Sequence, residues 1–434
     1  MHSSTLARMR RLRWASYGLL AVAFILAYFH RMAPAVMASE LQQAFSASGA
    51  ALGILAGSYF LTYTAMQIPS GVFADTLGAR KVVAAGLLLA GLGALVFATS
   101  ATLTLAVAGR MLVGLGVSVT FIAMLKLASQ WFYDREFATV AGLTILLGNL
   151  GALFGATPLS WAMGFTSWRS IFGALGLFSF VLALAVYAIV RNRPEDAGLP
   201  SMRELEGKSA HVVHQGHWRA ALKEVLANRR TWPGFWASFG QGGMLFAFAG
   251  LWAFPFLRDV YGMDSATAAN HISFILGGFA VSSLLMGVIS DRLGRRRPVM
   301  LLNMLACLLC WLPLLFTLSM PLWLSYTLFA LLGLCSTGYT LTLSTTKEVN
   351  RPALSGMATS VANMGTFCGA VVLQPLVGWA MDLAWDGRLV EGVRVYDADA
   401  YRIGLGLLVA SLLLGLVAAL TTRETYGRYL QLED

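Results

Sequence analysis

The sequence predicts an all-α membrane protein with twelve transmembrane helices, arranged as two pseudo-symmetric six-helix bundles. Three observations predict this fold class: long apolar runs without charge, basic residues gathered on alternate connecting segments, and motifs that recur at nearly one offset. Hydrophobic residues make up 57% of the 434 residues and charged residues only 12%, whereas an ordinary soluble domain carries about 25% charged residues. The composition therefore excludes a soluble globular protein.

The apolar runs predict the individual spans. A bilayer core of about 30 Å requires about 20 apolar residues as a helix. Only helices and closed barrels satisfy every backbone amide in lipid, and these runs are continuous rather than alternating, so we expect helices. The runs without Asp, Glu, Lys or Arg cover residues 50–73, 82–109, 137–168, 170–190, 231–257, 265–290, 298–346, 352–381 and 403–422. The twelve predicted starts lie near Trp14, Ala50, Val82, Leu103, Phe137, Trp168, Thr231, Ala266, Pro298, Pro321, Ala353 and Arg402.

Lysines and arginines concentrate on one side of the predicted membrane. Segments on the side of the N-terminus hold 23 of the 31, the opposite segments hold five, and Arg31, Arg110 and Lys126 fall inside spans. Cytoplasmic loops are enriched in Lys and Arg, so both termini are predicted to be cytoplasmic. The net charge of +10 is then a sign of topology, and we expect the lipid bilayer, not nucleic acid, as the partner of the chain.

An internal repeat indicates duplication of a six-helix unit. Residues 71–81 and 287–297 share one pattern at an offset of 216, and Asn149 and Asn363 lie in a second repeated pattern at an offset of 214. A polar segment over residues 191–230 separates an N-terminal bundle, 1–190, from a C-terminal bundle, 231–434. Transporters built from parallel repeats bind their substrate near the midplane, where the repeats meet.

Residues 71–81 read G-x-x-x-D-x-x-G-x-[RK]-[RK], as do residues 287–297. This pattern resembles the signature loop of the major facilitator superfamily, and Arg110 with its following glycines resembles the fourth-helix motif of that family. The resemblance implies a secondary transporter of two rocking bundles, without catalytic residues, cofactor or metal. It also implies a multi-pass protein of the bacterial inner membrane, and we expect a monomer.

The two signature loops are predicted to gate the inner side. The resemblance implies that Asp75 docks against the other half of the protein when that side is closed. We therefore expect Asp75 and Arg80 in the first loop, and Asp291 and Arg295 in the second, to act in gating. The alternative is a turn that only sets topology.

Charges inside the spans are the first candidates for a substrate site, because an ionisable residue in lipid costs at least about 2.5 kcal/mol. Arg31, Arg110 and Lys126 are the strong charges, and His30 is a titratable neighbour. A guanidinium offers a planar fork for carboxylate or phosphate. Arg110 and Lys126 are 16 residues apart, about 24 Å of helix, and cannot hold one ligand. The alternatives are that Lys126 reaches the membrane interface and that Arg110 pairs with polar groups of the first span.

Residues 28–31, Tyr-Phe-His-Arg, resemble the first-helix Y-[LI]-D-R pattern of the organic-anion branch of the superfamily. In that branch the arginine contacts the anion. His30 replaces the acidic residue of the pattern, so the role of that acid in proton coupling is not carried over. Three possibilities stay open in its place: proton coupling through titration of His30, uniport and exchange.

Polar residues in other spans complete the candidate substrate site. Gln241 lies in a glycine cluster of the seventh span, and Tyr63 and Tyr339 lie in the second and tenth spans. Asn149 and Asn363 either bind substrate or bridge helices. The neighbouring glycine pairs, Gly151 with Gly155 and Gly365 with Gly369, are expected to pack helices closely between the halves.

The predicted function is transport of a small carboxylate-type organic anion by alternating access. Cationic spans without a deep Asp or Glu favour anionic substrates and disfavour efflux of cationic drugs. The main alternative is a permease for a zwitterion, such as an amino acid or short peptide, in which Arg31 holds the carboxylate alone. A membrane-embedded enzyme and a channel are the other classes considered. No metal-ligand cluster or nucleophile motif favours an enzyme, and the duplicated loop favours a carrier over a channel.

Overall fold

The computed structural model describes residues 3–205, 218–317, 320–390 and 392–430. Residues 206–217 of the predicted segment 191–230 lie outside the described residues. The same holds for a few positions of the two predicted bundles, namely residues 1–2, 318–319, 391 and 431–434.

The described chain is almost entirely helical. Its α-helices are Ser3–Val36, Ala38–Phe45, Gly49–Ala65, Gln67–Thr76, Gly78–Thr99, Leu103–Val117, Thr120–Trp131, Asp134–Phe154, Thr157–Met163, Trp168–Ile189, Met202–Leu205, Trp218–Ala227, Trp232–Ala237, Gly243–Ala247, Ala253–Asp259, Ser265–Leu293, Arg297–Phe316, Leu322–Leu334, Leu341–Glu348, Ser355–Leu383 and Ala398–Thr421. Short 3₁₀ segments are Pro194–Ala197, Arg229–Thr231, Gly338–Thr340 and Pro352–Leu354. Two π-helical segments, Ser238–Gly242 and Phe248–Trp252, interrupt the seventh span. The strands Leu389–Val390 and Val393–Arg394 pair antiparallel.

Within the described residues, eleven helices are long and apolar enough to cross a membrane, or up to twelve when a bent pair counts as one span. That pair, Ala38–Phe45 with Gly49–Ala65, bends by 114° and contains the second predicted start. The other spans are Ala7–Val36, Gly78–Thr99, Leu103–Trp131, Thr139–Met163, Trp168–Ile189, Arg229–Asp259, Ser265–Leu293, Arg297–Phe316, Leu322–Glu348, Ser355–Leu383 and Ala398–Thr421. Eleven of the twelve predicted starts lie within about four residues of an observed start, and the first helix begins earlier than predicted.

Local sequence explains where several spans begin. Four N-cap side chains accept a hydrogen bond from a backbone N–H of the first helical turn, which would otherwise have no partner. Gly78 and Gly294, in the two signature loops, adopt φ values of +79° and +62°, where a side chain would be strained. The four caps are Thr102, Ser167, Asp264 and Asp397.

The chain forms two compact units. The first contains the described residues among 1–30, 65–152 and 166–215. Its core joins the first, third, fourth and sixth spans, with Leu20, Val83, Trp131 and Val186 each fully buried. The third and fourth spans cross so closely that a Cβ at Gly116 would lie 2.6 Å from the backbone nitrogen of Ala90. Only a glycine fits there.

The second unit contains the described residues among 31–64, 153–165 and 216–430. It therefore includes the end of the first span, nearly all of the bent pair, the end of the fifth span and the last six spans. Gly49 and Gly53 of the second span pack directly on the backbone of Gly378 and Pro375 in the eleventh span. Because of this packing, the compact units differ from the predicted division at 191–230. The bundle boundaries 1–190 and 231–434 stay a prediction.

Candidate functional site

Arg31 lies in a box of aromatic rings inside the second unit. The residue is 1% exposed, and its guanidinium carbon lies 4.8 Å from the ring centroid of Tyr63, 5.0 Å from that of Phe367 and 5.4 Å from that of Phe246. Each ring face attracts a cation by about 0.5–2 kcal/mol. The second, seventh and eleventh spans thus converge on the cation of the first. We call Arg31 with these three rings the aromatic box.

Sequence reasoning selected two of these four residues, Arg31 and Tyr63. It missed Phe246 and Phe367, because a phenylalanine in an apolar span is indistinguishable from an ordinary core or lipid-facing residue. Only the rotation of each helix in the folded protein shows that these two rings face a cation.

Arg110 replaces a backbone hydrogen bond that a proline removes from the first helix. Pro34 lies inside Ser3–Val36 and has no N–H for the carbonyl of His30, four residues earlier. The Nη1 atom of Arg110 donates to that carbonyl at 2.8 Å, and Arg110 is fully buried. Backbone carbonyls in a membrane need such a partner, which explains a buried cation here without a substrate.

The ring of His30 is also fully buried, with Phe172 of the sixth span 5.3 Å away between centroids. His30 and Arg31 are consecutive in one helix, so their side chains leave it about 100° apart. His30 and Arg110 come together in the first unit, whereas the aromatic box lies in the second. Substrate contact by His30 or Arg110 stays a prediction.

Lys126 forms an ion pair with the predicted gating residue Asp75, at 2.6 Å between Nζ and Oδ1. The two side chains are 37% and 64% exposed, so the pair is worth at most about 1 kcal/mol. Both border a cavity of about 260 Å³ beside Gly78 and Asn192. The structure thus places Lys126 beside a predicted gate residue of its own unit, and its role in substrate binding stays a prediction.

The remaining gate residues are anchored at helix ends. Arg80 donates from Nε to the carbonyl of Tyr187 at 2.6 Å, and its backbone N–H donates to Asn192. In the second loop, Asp291 pairs with Arg296, the neighbour of the predicted gate residue Arg295, at 2.5 Å. Sequence reasoning could not distinguish three consecutive arginines. Gating by these loops stays a prediction.

Arg296 also forms an ion pair with Glu348, which is 3% exposed. Glu348 in turn accepts from the hydroxyl of Thr425, and the neighbouring Glu424 accepts the backbone N–H groups of Arg296 and Arg297 at 2.8 and 3.0 Å. The Glu424 carboxylate therefore caps the first turn of the ninth span, where the positive end of the helix dipole stabilises it.

Gln241 forms hydrogen bonds to the backbone at a break in the tenth span. The span changes from Leu322–Leu334 to a 3₁₀ turn, Gly338–Thr340, and this change frees backbone groups. The Nε2 atom of Gln241 donates to the carbonyl of Cys335 at 2.8 Å, and Oε1 accepts from the N–H of Tyr339 at 2.7 Å. Gln241 is fully buried and Tyr339 is 6% exposed.

Asn303 of the ninth span serves the same break. Its Oδ1 accepts from the N–H of Gly338 at 2.6 Å, and its Nδ2 donates to the carbonyl of Leu334 at 3.2 Å. Gln241 also donates to this Oδ1, at 3.2 Å. The two amides supply the partners that the membrane does not. The predicted substrate contacts Gln241 and Tyr339 are therefore engaged at a helix break, and their contact with a substrate stays a prediction.

Asn149 is buried and Asn363 is half-buried, and the choice between binding and bridging stays open for both. The nearby glycines do pack helices closely. A Cβ at Gly151 would overlap the carbonyl of Ile25 in the first unit, and one at Gly369 would overlap Phe239 in the second. The expectation that these glycines join the two halves is wrong for Gly151, Gly365 and Gly369, because each of the three packs on a helix of its own half.

Asp382, at the end of the eleventh span, clamps the start of the helix Gly49–Ala65. Its carboxylate accepts the N–H groups of Gly49 and Ala50 at 3.0 and 2.8 Å. The hydroxyl of Tyr396 donates to it at 2.7 Å, and Arg394 approaches at 3.1 Å. Burial and the adjacent Asp382 carboxylate raise the pKa of the Tyr396 hydroxyl above its ordinary value, so this donor keeps its proton at neutral pH.

Replacing Asp382 by asparagine is expected to lower the free energy of unfolding by about 1–3 kcal/mol, because hydrogen bonds to a charged acceptor are lost from a partly buried site. The apparent melting temperature of the purified protein in detergent measures the change. Asp386→Asn, on the exposed loop beyond, is the matched control and should leave it unchanged. Equal melting temperatures for both variants would show that the clamp contributes nothing to stability.

Long apolar helices whose freed backbone groups are satisfied by buried side chains define a multi-pass, all-α membrane protein. A sequence profile of the Major Facilitator Superfamily matches residues 20–281 and 253–429. The chain belongs to this superfamily, which confirms the predicted family and fold class.

Several transporters are similar to this chain in sequence or in fold. The chain is 29% identical to the galacturonate transporter of Dickeya chrysanthemi over 258 residues, covering 56% of this chain and 73% of that one. It is 25% identical to a putative tartrate transporter of Agrobacterium vitis over 425 residues, 93% of either chain. Its fold is similar to that of a bacterial homologue of the human lysosomal transporter Spinster, solved in an inward-facing, unoccupied conformation, with a TM-score of 0.72, 16% identity and 96% coverage of either chain.

Proposed function

We propose that this protein transports a small organic anion of the carboxylate type by alternating access, with Arg31 contacting the carboxylate. The aromatic box carries the proposal. Its guanidinium lies within 5.4 Å of three ring centroids, so ring faces surround a cation whose fork matches a carboxylate. The ring faces orient the guanidinium while leaving it positively charged.

The names of the related proteins support this substrate class, since galacturonate and tartrate are both carboxylates. The positions of charge in the sequence agree with it. No Asp or Glu lies deep in any span, whereas Arg31 lies in the outer half of the first span and is buried. A buried positive site attracts anions and repels organic cations, which disfavours efflux of cationic drugs.

The proposal includes the orientation and the gates. Both termini lie in the cytoplasm of a bacterial cell, since 23 of 31 basic residues flank that side. The loops of Asp75 with Arg80 and of Asp291 with Arg295 gate the cytoplasmic side, and the monomer is the transporting species.

Uptake into proteoliposomes tests the proposal. A panel of carboxylates, phosphates and amino acids is offered with and without a pH gradient, and protein-free liposomes are the control. We expect saturable uptake and counterflow of a carboxylate. Competition by amino acids without competition by their carboxylate-only analogues would instead indicate a zwitterion permease, and flux that does not saturate would indicate a channel.

A further inference from the structure

Gln374 of the eleventh span carries a buried acceptor oxygen that the protein leaves unused. The residue is fully buried. Its Nε2 donates to the carbonyl of Phe246 at 3.2 Å, while Oε1 has no hydrogen-bond partner among the described residues. An amide oxygen buried without a donor costs about 1–3 kcal/mol. Such a cost is expected where a ligand supplies the donor in another step of the cycle.

A second acceptor lies beside it. Pro375, inside Ser355–Leu383, cannot donate to the carbonyl of Val371, four residues earlier. The Val371 oxygen and Gln374 Oε1 both face Gly57 of the second span, 3.4 and 3.7 Å from the position of a Cβ there. The missing side chain of Gly57 leaves room for one atom in contact with both oxygens.

This acceptor pair adjoins the aromatic box. Phe246 is shared, because Gln374 binds its backbone oxygen and the Arg31 guanidinium lies 5.4 Å from its ring. Gln374 and Phe367 are seven residues apart on one helix and therefore lie on nearly the same face. The backbone of Arg31 also comes close, since a Cβ at Gly250 would lie 3.5 Å from Gln374 Nε2 and 4.0 Å from the Arg31 carbonyl.

We infer that Gln374 and the Val371 carbonyl form a hydroxyl-recognition subsite next to Arg31, which selects hydroxy-carboxylates over carboxylates without hydroxyl groups. The inference rests on the proposed function. A hydroxyl donates to these neutral acceptors and is satisfied. An ammonium group would bring a full charge to a place where both acceptors are neutral, which favours a hydroxy acid over an amino acid.

The test uses pairs of acids that differ only in hydroxyl groups. Binding of tartrate and succinate to the purified full-length chain is measured by titration calorimetry, and lactate with propionate and gluconate with hexanoate repeat the comparison. Wild type should bind the hydroxylated member about tenfold tighter or more, because a site built to bond a hydroxyl rejects the analogue that lacks it. Gln374→Met should weaken the hydroxylated acid about tenfold and leave its partner unchanged, which removes the preference.

Gly57→Ala gives a second variant should Gln374→Met fold poorly. Its methyl group meets the two oxygens at ordinary contact distances and fills the space in front of them. Gly18→Ala is the matched control, since nothing described lies within 4 Å of a Cβ there. Gly57→Ala should reduce the preference for the hydroxylated acid, and Gly18→Ala should not.

The outcomes separate the two proposals. An unchanged preference in Gln374→Met and Gly57→Ala, with carboxylates still bound, overturns the subsite and leaves the transporter proposal intact. Equal weakening of both members of each pair also overturns it, because that result indicates a structural role for Gln374. If wild type binds the acids without hydroxyl groups but none of the hydroxy acids, the subsite alone fails, and if it binds no acid of either kind, the proposed substrate class fails as well.

Discussion

Arg31→Ala is expected to reduce carboxylate uptake by about 10- to 100-fold, since a hydrogen bond to a charged group contributes about 1.5–3 kcal/mol. The initial rate of uptake into proteoliposomes measures the loss. Arg31→Lys should recover part of the activity, because lysine keeps the charge but lacks the bidentate fork and stacks less well on the aromatic box.

Arg388→Ala is the matched control, because it removes a guanidinium from the exposed loop between the last two spans. Its uptake should equal that of wild type. The melting temperature of each variant distinguishes loss of substrate contact from loss of fold. Normal uptake by well-folded Arg31→Ala would remove Arg31 from the site and contradict the proposed function.

Gln241→Leu is expected to lower the free energy of unfolding by about 2–6 kcal/mol. Leucine leaves the carbonyl of Cys335 and the N–H of Tyr339 buried without their side-chain partner, at about 1–3 kcal/mol for each group. Thermal unfolding in detergent measures the loss.

A double-mutant cycle sharpens the result. Gln241 and Asn303 bond each other and serve the same break, so Gln241→Leu and Asn303→Leu should not add. Thr327→Val, on the exposed face of the tenth span, is the control and should be neutral. Additive losses would show that the two amides act separately, and a stable Gln241→Leu would show that the break does not need Gln241.

The spans and their starts could be predicted from the sequence because lipid imposes one demand on every stretch of chain. A run such as residues 82–109 has no charge and is long enough to cross, whatever its neighbours are. The motif repeat at residues 71–81 and 287–297 then gave the duplication. Arg31 was found for the same reason, since a cation in lipid is costly wherever it points.

The partners of each side chain were not predictable in the same way, because they depend on helix rotation. The sequence marks Arg110 only as a cation inside a span, and the structure adds that it donates to the carbonyl that Pro34 leaves without an N–H partner. Asp382 reads as an ordinary acid at a span end, although it accepts from the backbone of Gly49 and Ala50 more than 300 residues away, as well as from side chains of the loop that follows it. The sequence does not single out Gln374 as a binding residue, because it is one neutral amide in an apolar run.

The wide turns of the seventh span have a consequence for motion. Phe246 lies on the five-residue segment Gly243–Ala247, with a π-helical segment on either side. Each such turn contains one surplus residue, and moving the surplus along the chain would swivel the residues between by about 100° while their backbone groups stay bonded. Rotation of this segment would move the Phe246 ring away from the Arg31 guanidinium and the Phe246 carbonyl away from the Gln374 amide. One local rearrangement would therefore disrupt the aromatic box and the proposed hydroxyl subsite together.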